Sequence, residues 1–400
     1  MKRVLFVDDE PQVLQGLRTS LYARRKEWDM HFAAGGAQAM ELMRASHFDV
    51  LVTDLRMPSV NGTALVAWTR TNSPDTIRVV LSGYADDEQS GQLVSIAHRY
   101  LSKPCEPMQL EECVDRCLAT RGLIQSDELR TRLGSVGTLP PMPATFAALQ
   151  LALTDPTIDS RKIAAIVQKD TAIAAKVLQA CNSAFFRLPR RVASIQQAVS
   201  YLGLSTVRSM VLSAELFSTG QSVCAALNLG QLQRHAFSVA AVARSLSRDI
   251  DRADEAFLAG LLHDVGFLLL GRLFKDQMQL ALEASAAGMA LAEAEHKYVG
   301  VDHGTAGAYL LGLWGLPFEV VEAVAQHEDP TPMAGPSPNA PNTIRVAHAL
   351  LSVIRPSDLP PYEQSAPIMD NDELRGIGIP SSWESLLEQT GALLDAQEAA

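Results

Sequence analysis

The sequence is poor in the features that mark secreted, membrane-spanning and nucleic-acid-binding proteins. It has five cysteines, an odd number, and no two form a CxxC pair, which is typical of a reducing cytoplasm. No uncharged apolar run reaches the roughly 18 residues that a membrane-spanning helix needs, and the first residues enter a predicted strand rather than a signal peptide. Acidic residues outnumber basic ones by 45 to 34, which argues against direct binding of nucleic acid. We therefore expect a cytoplasmic protein that contacts neither membrane nor nucleic acid.

The chain is long, and nearly half of its residues are hydrophobic. Its 400 residues are 47% hydrophobic and 20% charged, which is ordinary for globular proteins and enough for two or three domains. Strand-like and helix-like runs alternate up to residue 121, and helical patterns alone follow a Gly- and Pro-rich stretch at 134–143. We predict an α/β domain at 1–121, a linker helix or loop at 122–137, an all-α domain at 138–330, and a flexible loop with a C-terminal helical extension at 331–400.

In the α/β part, short β-branched and apolar runs alternate with amphipathic ones. The predicted strands cover residues 3–10, 30–33, 50–54, 77–82 and 99–103, and the predicted helices cover 12–23, 37–45, 62–70, 86–97 and 108–120. The run at 50–52 has no polar alternation, as expected of a parallel strand that is buried on both faces. Five strands alternating with five helices predict a doubly wound, flavodoxin-like sheet.

Polar side chains stand where these strands end. Asp8 and Asp9 lie at the end of the first strand, Asp54 ends the third, Ser82 the fourth and Lys103 the fifth. The carboxyl ends of parallel strands share one edge of the sheet, where open α/β sheets place their chemistry. Three carboxylates close together repel one another unless a cation joins them, and hard oxygen ligands suit Mg²⁺. A lysine beside them can meet a phosphoryl oxygen, so we predict a site for phosphoryl transfer.

Four short segments of this part resemble the signatures of two-component receiver domains: VDDE at 7–10, TDLRMP at 53–58, LSG at 81–83 and SKP at 102–104. The resemblance implies that Asp54 is the phosphoacceptor and that a sensor histidine kinase supplies the phosphoryl group. It implies a Mg²⁺ ion bound by Asp9, Asp54 and the backbone carbonyl of Arg56, with Asp8 acting through water. It also implies that Ser82 hydrogen-bonds the phosphoryl group, that Tyr100 is the aromatic switch, and that a cis peptide joins Lys103 to Pro104.

In the helical part, an almost wholly apolar segment at 256–270 carries His263 and Asp264 side by side. Burying an ionised carboxylate there costs several kcal/mol unless it is paired or bound to a metal. Further histidines fall in predicted helical segments on either side, namely His235, His303, His327 and His348. We therefore predict that these side chains cluster, as a candidate site for a divalent transition metal.

Several segments of this part resemble the HDOD domain, an HD-related output domain: 139–143, 169–186, 198–204, 259–266 and 303–317. That family implies a regulatory or scaffolding role, commonly without a complete metal site. Five of the cluster residues fall where HD-type hydrolases of the HD-GYP kind keep their ligands, namely His235, His263, Asp264, His303 and His327. Three positions depart from that pattern. His348 stands in place of the closing aspartate, Gln326 in place of the first of two paired histidines, and Phe267 in place of a lysine.

The function that these observations favour is a response regulator whose phosphorylated receiver controls a non-enzymatic HDOD output, acting on a downstream signalling protein. The alternative is a regulated, metal-dependent HD phosphohydrolase that acts on a cyclic dinucleotide or nucleotide. Two interpretations of the linker also stay open: it pairs with its copy in a homodimer, or it packs against its own domains.

Overall fold

The computed structural model describes most of the chain: residues 1–82, 97–103, 105–124, 129, 142–153, 158–182, 186, 188, 190, 192–217, 223–247, 249–328, 339–356, 360, 362 and 368–398. Two units can be distinguished. The first comprises Met1–Ala147 with Tyr309–Leu316, and the second comprises Ala148–Ala308 with Pro317–Ala400.

The strands of the first unit form one parallel sheet in the order β2-β1-β3-β4-β5. They are β1 Lys2–Val7, β2 Trp28–Ala33, β3 Val50–Asp54, β4 Ile77–Ser82 and β5 Arg99–Ser102. The central strand β3 is buried along its whole length, as its apolar sequence predicts. Val7 pairs with Thr53 and Asp54 pairs with Leu81, so the ends of β1, β3 and β4 lie at one edge of the sheet. The predicted α/β class is confirmed.

Helices connect these strands. They are α1 Pro11–Ser20, α2 Gly36–Ala45, α3 Gly62–Asn72 and α4 Pro107–Leu123. Proline lies in the first turn of α1 and α4, where its missing N–H costs nothing. The first helix ends before the predicted residue 23 and continues as a 3₁₀ helix, Leu21–Lys26. The predicted helix at 86–97 falls outside the described residues, apart from its last position.

The chain beyond the linker is helical, as predicted. Its helices are α5 Ala144–Ala152, α6 Ser160–Gln168, α7 Thr171–Cys181, α8 Ile195–Leu216, α9 Leu229–Leu246, α10 Ile250–Leu262, α11 Val265–Leu273, α12 Lys275–Ala286, α13 Leu291–Tyr298, α14 His303–Leu313, α15 Phe318–Gln326, α16 Ala340–Ile354, α17 Asn371–Gly376 and α18 Trp383–Glu398. Side chains of Asp159, Asp170 and Ser194 cap helices α6, α7 and α8 by accepting hydrogen bonds from backbone amides. These caps fix where each helix begins.

One stretch of the second unit, Arg252–Leu273, is long and apolar enough to cross a membrane if only its length and its mean hydropathy of 1.5 are considered. Of its most apolar window, 83% is buried inside the fold. A buried core helix meets the same criteria as a membrane span, so the stretch is weak evidence for one.

Candidate functional site

Lys103 joins two of the predicted carboxylates at the edge of the sheet. Its Nζ lies 2.6 Å from Oδ1 of Asp54 and 3.1 Å from Oδ2 of Asp8. Asp8 is 2% exposed and Asp54 is 8% exposed, so both carboxylates are shielded from water, whereas the side chain of Lys103 is 33% exposed. The ends of β1, β3 and β5 thus bring three of the predicted site residues into contact.

Backbone amides orient both carboxylates. The amide of Glu10 donates to Oδ1 of Asp8 at 2.9 Å, and the amide of Arg56 donates to Oδ2 of Asp54 at 3.0 Å. Gly62 lets helix α3 begin against the end of β3, because a Cβ at this position would lie 2.0 Å from the carbonyl oxygen of Asp54. The amide of Arg56 and the close packing of Gly62 therefore both fix the position of Asp54.

The pKa of Lys103 reports the balance of forces at this site. Burial on its own would lower the pKa of this ammonium group, but Asp54 and Asp8 more than offset burial, so the pKa is raised above its ordinary value. Lys103 is therefore a cation at neutral pH. A fixed cation beside a carboxylate at a strand end is suited to meeting the oxygens of a phosphoryl group.

The remaining predicted residues of the receiver part differ in how far the structure describes them. Asp9 follows Asp8 at the same strand end and is partly buried, and the side chain of Arg56 is exposed. Ser82 ends β4 opposite Ser102, and Tyr100 lies within β5. The side chains of Ser82 and Tyr100 lie outside the described residues, as does the predicted cis peptide to residue 104.

The second candidate site is the histidine cluster, defined as His235, His263, Asp264, His303, His327 and His348. We predicted all six in helical segments, which is wrong for three of them: His263 and Asp264 lie in the break between α10 and α11, and His327 lies in the turn after α15. His235 lies in α9 and His348 in α16, whereas His303 begins α14 and His327 directly follows α15. Four of the six stand at helix ends, where a side chain can point into a space between helices.

Three imidazoles of the cluster form one group, which we call the imidazole triad: His235, His263 and His348. Their ring nitrogens lie within 4.8 Å of one another. The ring centroids are 5.5 Å apart for His235 and His263, and 4.8 Å apart for His263 and His348. Imidazole nitrogens at this spacing can ligate a single metal ion.

The other three side chains form the carboxylate triad: Asp264, His303 and His327. Their ligand atoms also lie within 4.8 Å of one another, and Nε2 of His303 is 3.1 Å from Nε2 of His327. Oδ1 of Asp264 is 3.7 Å and 3.8 Å from these two nitrogens, while its Oδ2 is 3.0 Å from Nε2 of His263. The carboxylate of Asp264 therefore lies between the two triads.

Two glutamates that we did not predict extend the cluster. Glu295 is fully buried and accepts hydrogen bonds at Oε2 from the amide of His303 at 3.0 Å and from its Nδ1 at 2.9 Å. Oε1 of Glu328 lies 3.7 Å from Nε2 of His303. A signal for Glu295 existed, since it stands four residues after Leu291 in α13 and so on its apolar face.

The cluster mixes groups whose pKa values shift in opposite directions. Burial lowers the pKa of His235 to about 4 and that of His327 to about 3. Burial would also lower the pKa of His303, but Glu295 and Glu328 outweigh it, so that pKa lies well above the ordinary value. Burial would raise the pKa of Asp264, yet the nearby imidazoles keep it low. Asp264, His235 and His327 are therefore in the forms that bind a metal ion, whereas His303 would have to release a proton to bind one.

Close packing between α11 and α14 fixes the position of His303, the first residue of α14. At Gly266 a Cβ would lie 1.8 Å from the carbonyl oxygen of His303, so only glycine lets α11 and α14 approach this closely. The ring of the next residue, Phe267, stacks on the ring of His303 with centroids 3.9 Å apart. An apolar ring thus covers one face of His303, where HD-type hydrolases carry a lysine.

Comparison with known proteins finds two families. The model of the response regulator receiver domain matches residues 4–115, and that of the HDOD domain matches residues 139–330. The crystal structure of an HDOD domain protein from Geobacter sulfurreducens, 20% identical, covers 68% of this chain and 97% of its own, with a TM-score of 0.53. A crystal structure from Shewanella amazonensis SB2B, 21% identical, covers 68% and 98%, with a TM-score of 0.52. At this identity both show the fold alone.

One of the curated relatives matches about a third of the chain. The response regulator protein PilR of Pseudomonas aeruginosa is 29% identical over 144 residues, which are 36% of this chain and 32% of that protein. The chain spans less than half the length of the first curated relatives it matches.

Proposed function

We propose that this chain, which is a two-component response regulator with a receiver domain followed by an HDOD domain, is switched by phosphorylation of Asp54. The observation that carries the proposal is the contact of Lys103 with both Asp54 and Asp8 at the strand ends. A receiver domain implies a phosphodonor such as a sensor kinase. The identity of that kinase is a separate question from the identity of the phosphoacceptor.

Mg²⁺ fits this site on the chemistry of its donors. Asp8, Asp9 and Asp54 offer hard carboxylate oxygens, and the single charge of Lys103 does not neutralise all three. Asp9, Asp54 and the backbone carbonyl of Arg56 would hold the ion, and Asp8 would act through water. When bound, Mg²⁺ neutralises charge on the oxygens of the transferred phosphoryl group.

The residues of the chain supply the rest of the reaction. A carboxylate oxygen of Asp54 attacks phosphorus, the bond from phosphorus to the donor's leaving group breaks, and an acyl phosphate forms. The amide of Arg56 holds Oδ2 of Asp54, which orients the carboxylate for attack. Lys103 can move from Asp54 to a phosphoryl oxygen, as a charge on a flexible stem allows.

The test is phosphate uptake from a small phosphodonor in the presence of Mg²⁺. We expect wild-type protein to form an acid-stable, alkali-labile phosphoprotein and Asp54→Asn to form none. Asp115→Asn is a matched control, because Asp115 is a partly exposed aspartate that pairs with Arg24, and it should take up phosphate normally. Undiminished phosphate on Asp54→Asn would exclude Asp54 as the phosphoacceptor.

For the HDOD domain we propose a non-enzymatic signalling or scaffolding output. Supporting this, His263, Asp264 and His303 are at most 1% exposed, which leaves little access for a substrate, and Phe267 covers His303. The second candidate function is a metal-dependent phosphohydrolase. The observation that favours it is the histidine cluster, whose side chains are all possible metal ligands. Turnover of a cyclic dinucleotide by wild-type protein, lost in His263→Ala, would decide for the hydrolase.

A further inference from the structure

Hydrogen bonds to backbone and carboxylate groups fix the tautomers in the carboxylate triad. A carbonyl oxygen can only accept, so Nδ1 of His327 carries the hydrogen that it donates to Val324 at 2.8 Å. Nδ1 of His303 likewise donates to the carboxylate of Glu295. The Nε2 atoms of these two rings, which keep their lone pairs in neutral imidazole, nevertheless lie 3.1 Å apart. Two facing lone pairs at this distance repel each other unless a cation or a proton lies between them.

The imidazole triad contains the same conflict. Nδ1 of His263 donates to the carbonyl of Gly260 at 2.7 Å, so its Nε2 presents a lone pair to Oδ2 of Asp264, 3.0 Å away. Neither of these two buried atoms, nor Nε2 of His348, has a hydrogen-bond partner in the described part of the chain. Buried acceptors that converge without donors are the expected surroundings of a bound cation.

We propose that the histidine cluster binds two divalent transition-metal ions, one in each triad, with the carboxylate of Asp264 between them. We infer two ions from the position of Asp264, because its Oδ2 faces His263 in one triad and its Oδ1 faces His303 and His327 in the other. The site does not depend on phosphorylation of Asp54.

The chemistry of the donors selects the metal. Five imidazoles with one central carboxylate suit Zn²⁺, Fe²⁺ or Co²⁺, whereas Mg²⁺ and Ca²⁺ prefer oxygen ligands. The two triads also differ in charge. The imidazole triad has only neutral ligands of its own, while the carboxylate triad contains Asp264 and has Glu295 directly behind His303. The carboxylate triad therefore binds its ion more tightly.

Glu295 is a positioning residue for this centre. By accepting the hydrogen of His303 Nδ1 it fixes the tautomer and aims Nε2 at the shared site. Carboxylates that support a metal-binding histidine in this way contribute about 10–100-fold to metal affinity. Glu295→Gln should therefore weaken the ion of the carboxylate triad by about that factor and leave the ion of the imidazole triad in place.

The experiment is a titration of purified, metal-stripped full-length protein with Co²⁺ in excess Mg²⁺, which fills oxygen-ligand sites. Bound cobalt is measured by elemental analysis, and its coordination by visible absorption. We expect two Co²⁺ per chain with imidazole coordination. A stoichiometry of one or none overturns the proposal, and so does cobalt bound without nitrogen ligands.

Single substitutions then assign the ions. We expect His348→Gln and His327→Gln each to retain one Co²⁺, from different triads, and Asp264→Asn to weaken both. Loss of both ions in either histidine variant contradicts separate triads. Circular dichroism checks the fold of each variant, and the wild-type stoichiometry decides the number of ions even where a variant does not fold.

Two controls separate this proposal from the others. His296→Gln should retain two ions, because the side chain of His296 is 59% exposed and lies outside both triads. Asp54→Asn should also retain two ions while it loses phosphate uptake. Failure of phosphorylation and failure of metal binding are thereby read out on different variants.

Discussion

At the scale of single residues, both candidate sites are organised by backbone groups that hold a side chain in one orientation. Amides two residues further along the chain fix Asp8 and Asp54, and the carbonyls of Gly260 and Val324 fix two imidazoles of the cluster. Such contacts are local, so they form as soon as the strand end or helix end forms. The orientation of each functional side chain therefore follows from its position at the end of an element.

A residue-scale prediction concerns Asp75, which lies between His47 and Arg121 at 2.8 Å and 3.0 Å. Burial opposes its charge, but the two partners lower its pKa to about 2. Since the folded pKa is below the ordinary value, the stabilisation is complete above about pH 4 and is lost as the pH falls through about 2. After solvent screening, the ionised Asp75 contributes about 1 kcal/mol to the free energy of unfolding at neutral pH.

Asp75→Asn should therefore lower the free energy of unfolding at pH 7, and the difference from wild type should shrink as the pH falls below 4. Hydrogen exchange of amides in β3 and β4 measures this for the receiver domain alone. Glu112→Gln, which removes an exposed acid that pairs with Arg116, is the control. A difference that stays constant from pH 7 to pH 3 would show that the charge of Asp75 is not involved.

The residues of the candidate receiver site could be predicted from the sequence because each one ends or follows a strand with a clear apolar pattern. Asp54 and Lys103 needed only the rule that parallel strands end at one edge. The histidine cluster was predicted as a set, but its division into two triads depends on how six helices pack. Glu295 escaped prediction because an acid on the apolar face of a helix is a weak signal until its partner, His303, is known.

At the scale of elements, breaks between and within helices place side chains in the histidine cluster and bend α8. His263 and Asp264 occupy the break between α10 and α11, which turns both side chains into the cluster. Gly203 interrupts α8 with a φ of 79°. Ser205 follows this kink, and its carbonyl accepts a hydrogen bond from the hydroxyl of Ser209 one turn later.

The close approach of α11 and α14 gives an element-scale prediction. Gly266→Ala would place a Cβ 1.8 Å from the carbonyl oxygen of His303, so the two helices must separate, at a cost of about 1–3 kcal/mol or more. The same shift would move His303 away from His327 and Asp264. We expect a lower midpoint of urea unfolding, measured by circular dichroism of the helical domain.

The matched control for this prediction is Gly391→Ala in α18. Nothing lies within 4 Å of a Cβ at Gly391, so the helix should gain up to about 1 kcal/mol from the better helix propensity of alanine. Opposite signs for the two substitutions would identify the approach to His303 as the cause. An equal loss of stability in both would contradict the steric argument.

At the scale of the whole molecule, the chain places two different sets of candidate metal ligands in two domains. The receiver offers hard carboxylate oxygens with a lysine, and the helical domain offers imidazoles grouped around one carboxylate. Each set suits a different class of metal. The metal binding proposed for each site can therefore be measured independently in the same protein.

The whole-molecule prediction is that phosphorylation changes the interdomain or quaternary arrangement and leaves the fold of each domain unchanged. A phosphoryl group adds about −1.5 to −2 charge at neutral pH, at an edge where Lys103 already contacts Asp8 and Asp54. Lys103 must then redistribute its contacts, and a charge change of this kind acts by biasing an element with two arrangements.

Small-angle scattering and hydrogen exchange of the full chain, with and without beryllofluoride as phosphoryl mimic, measure this. We expect exchange to change in the HDOD domain as well as in the receiver, while circular dichroism stays the same, because no helix or strand needs to melt. Asp54→Asn, which lacks the acceptor carboxylate, should show neither change. A phosphoryl group can shift only an equilibrium whose two states it stabilises unequally. Identical scattering and exchange in wild-type protein with and without the mimic would therefore mean that charge at Asp54 has no effect on the output domain.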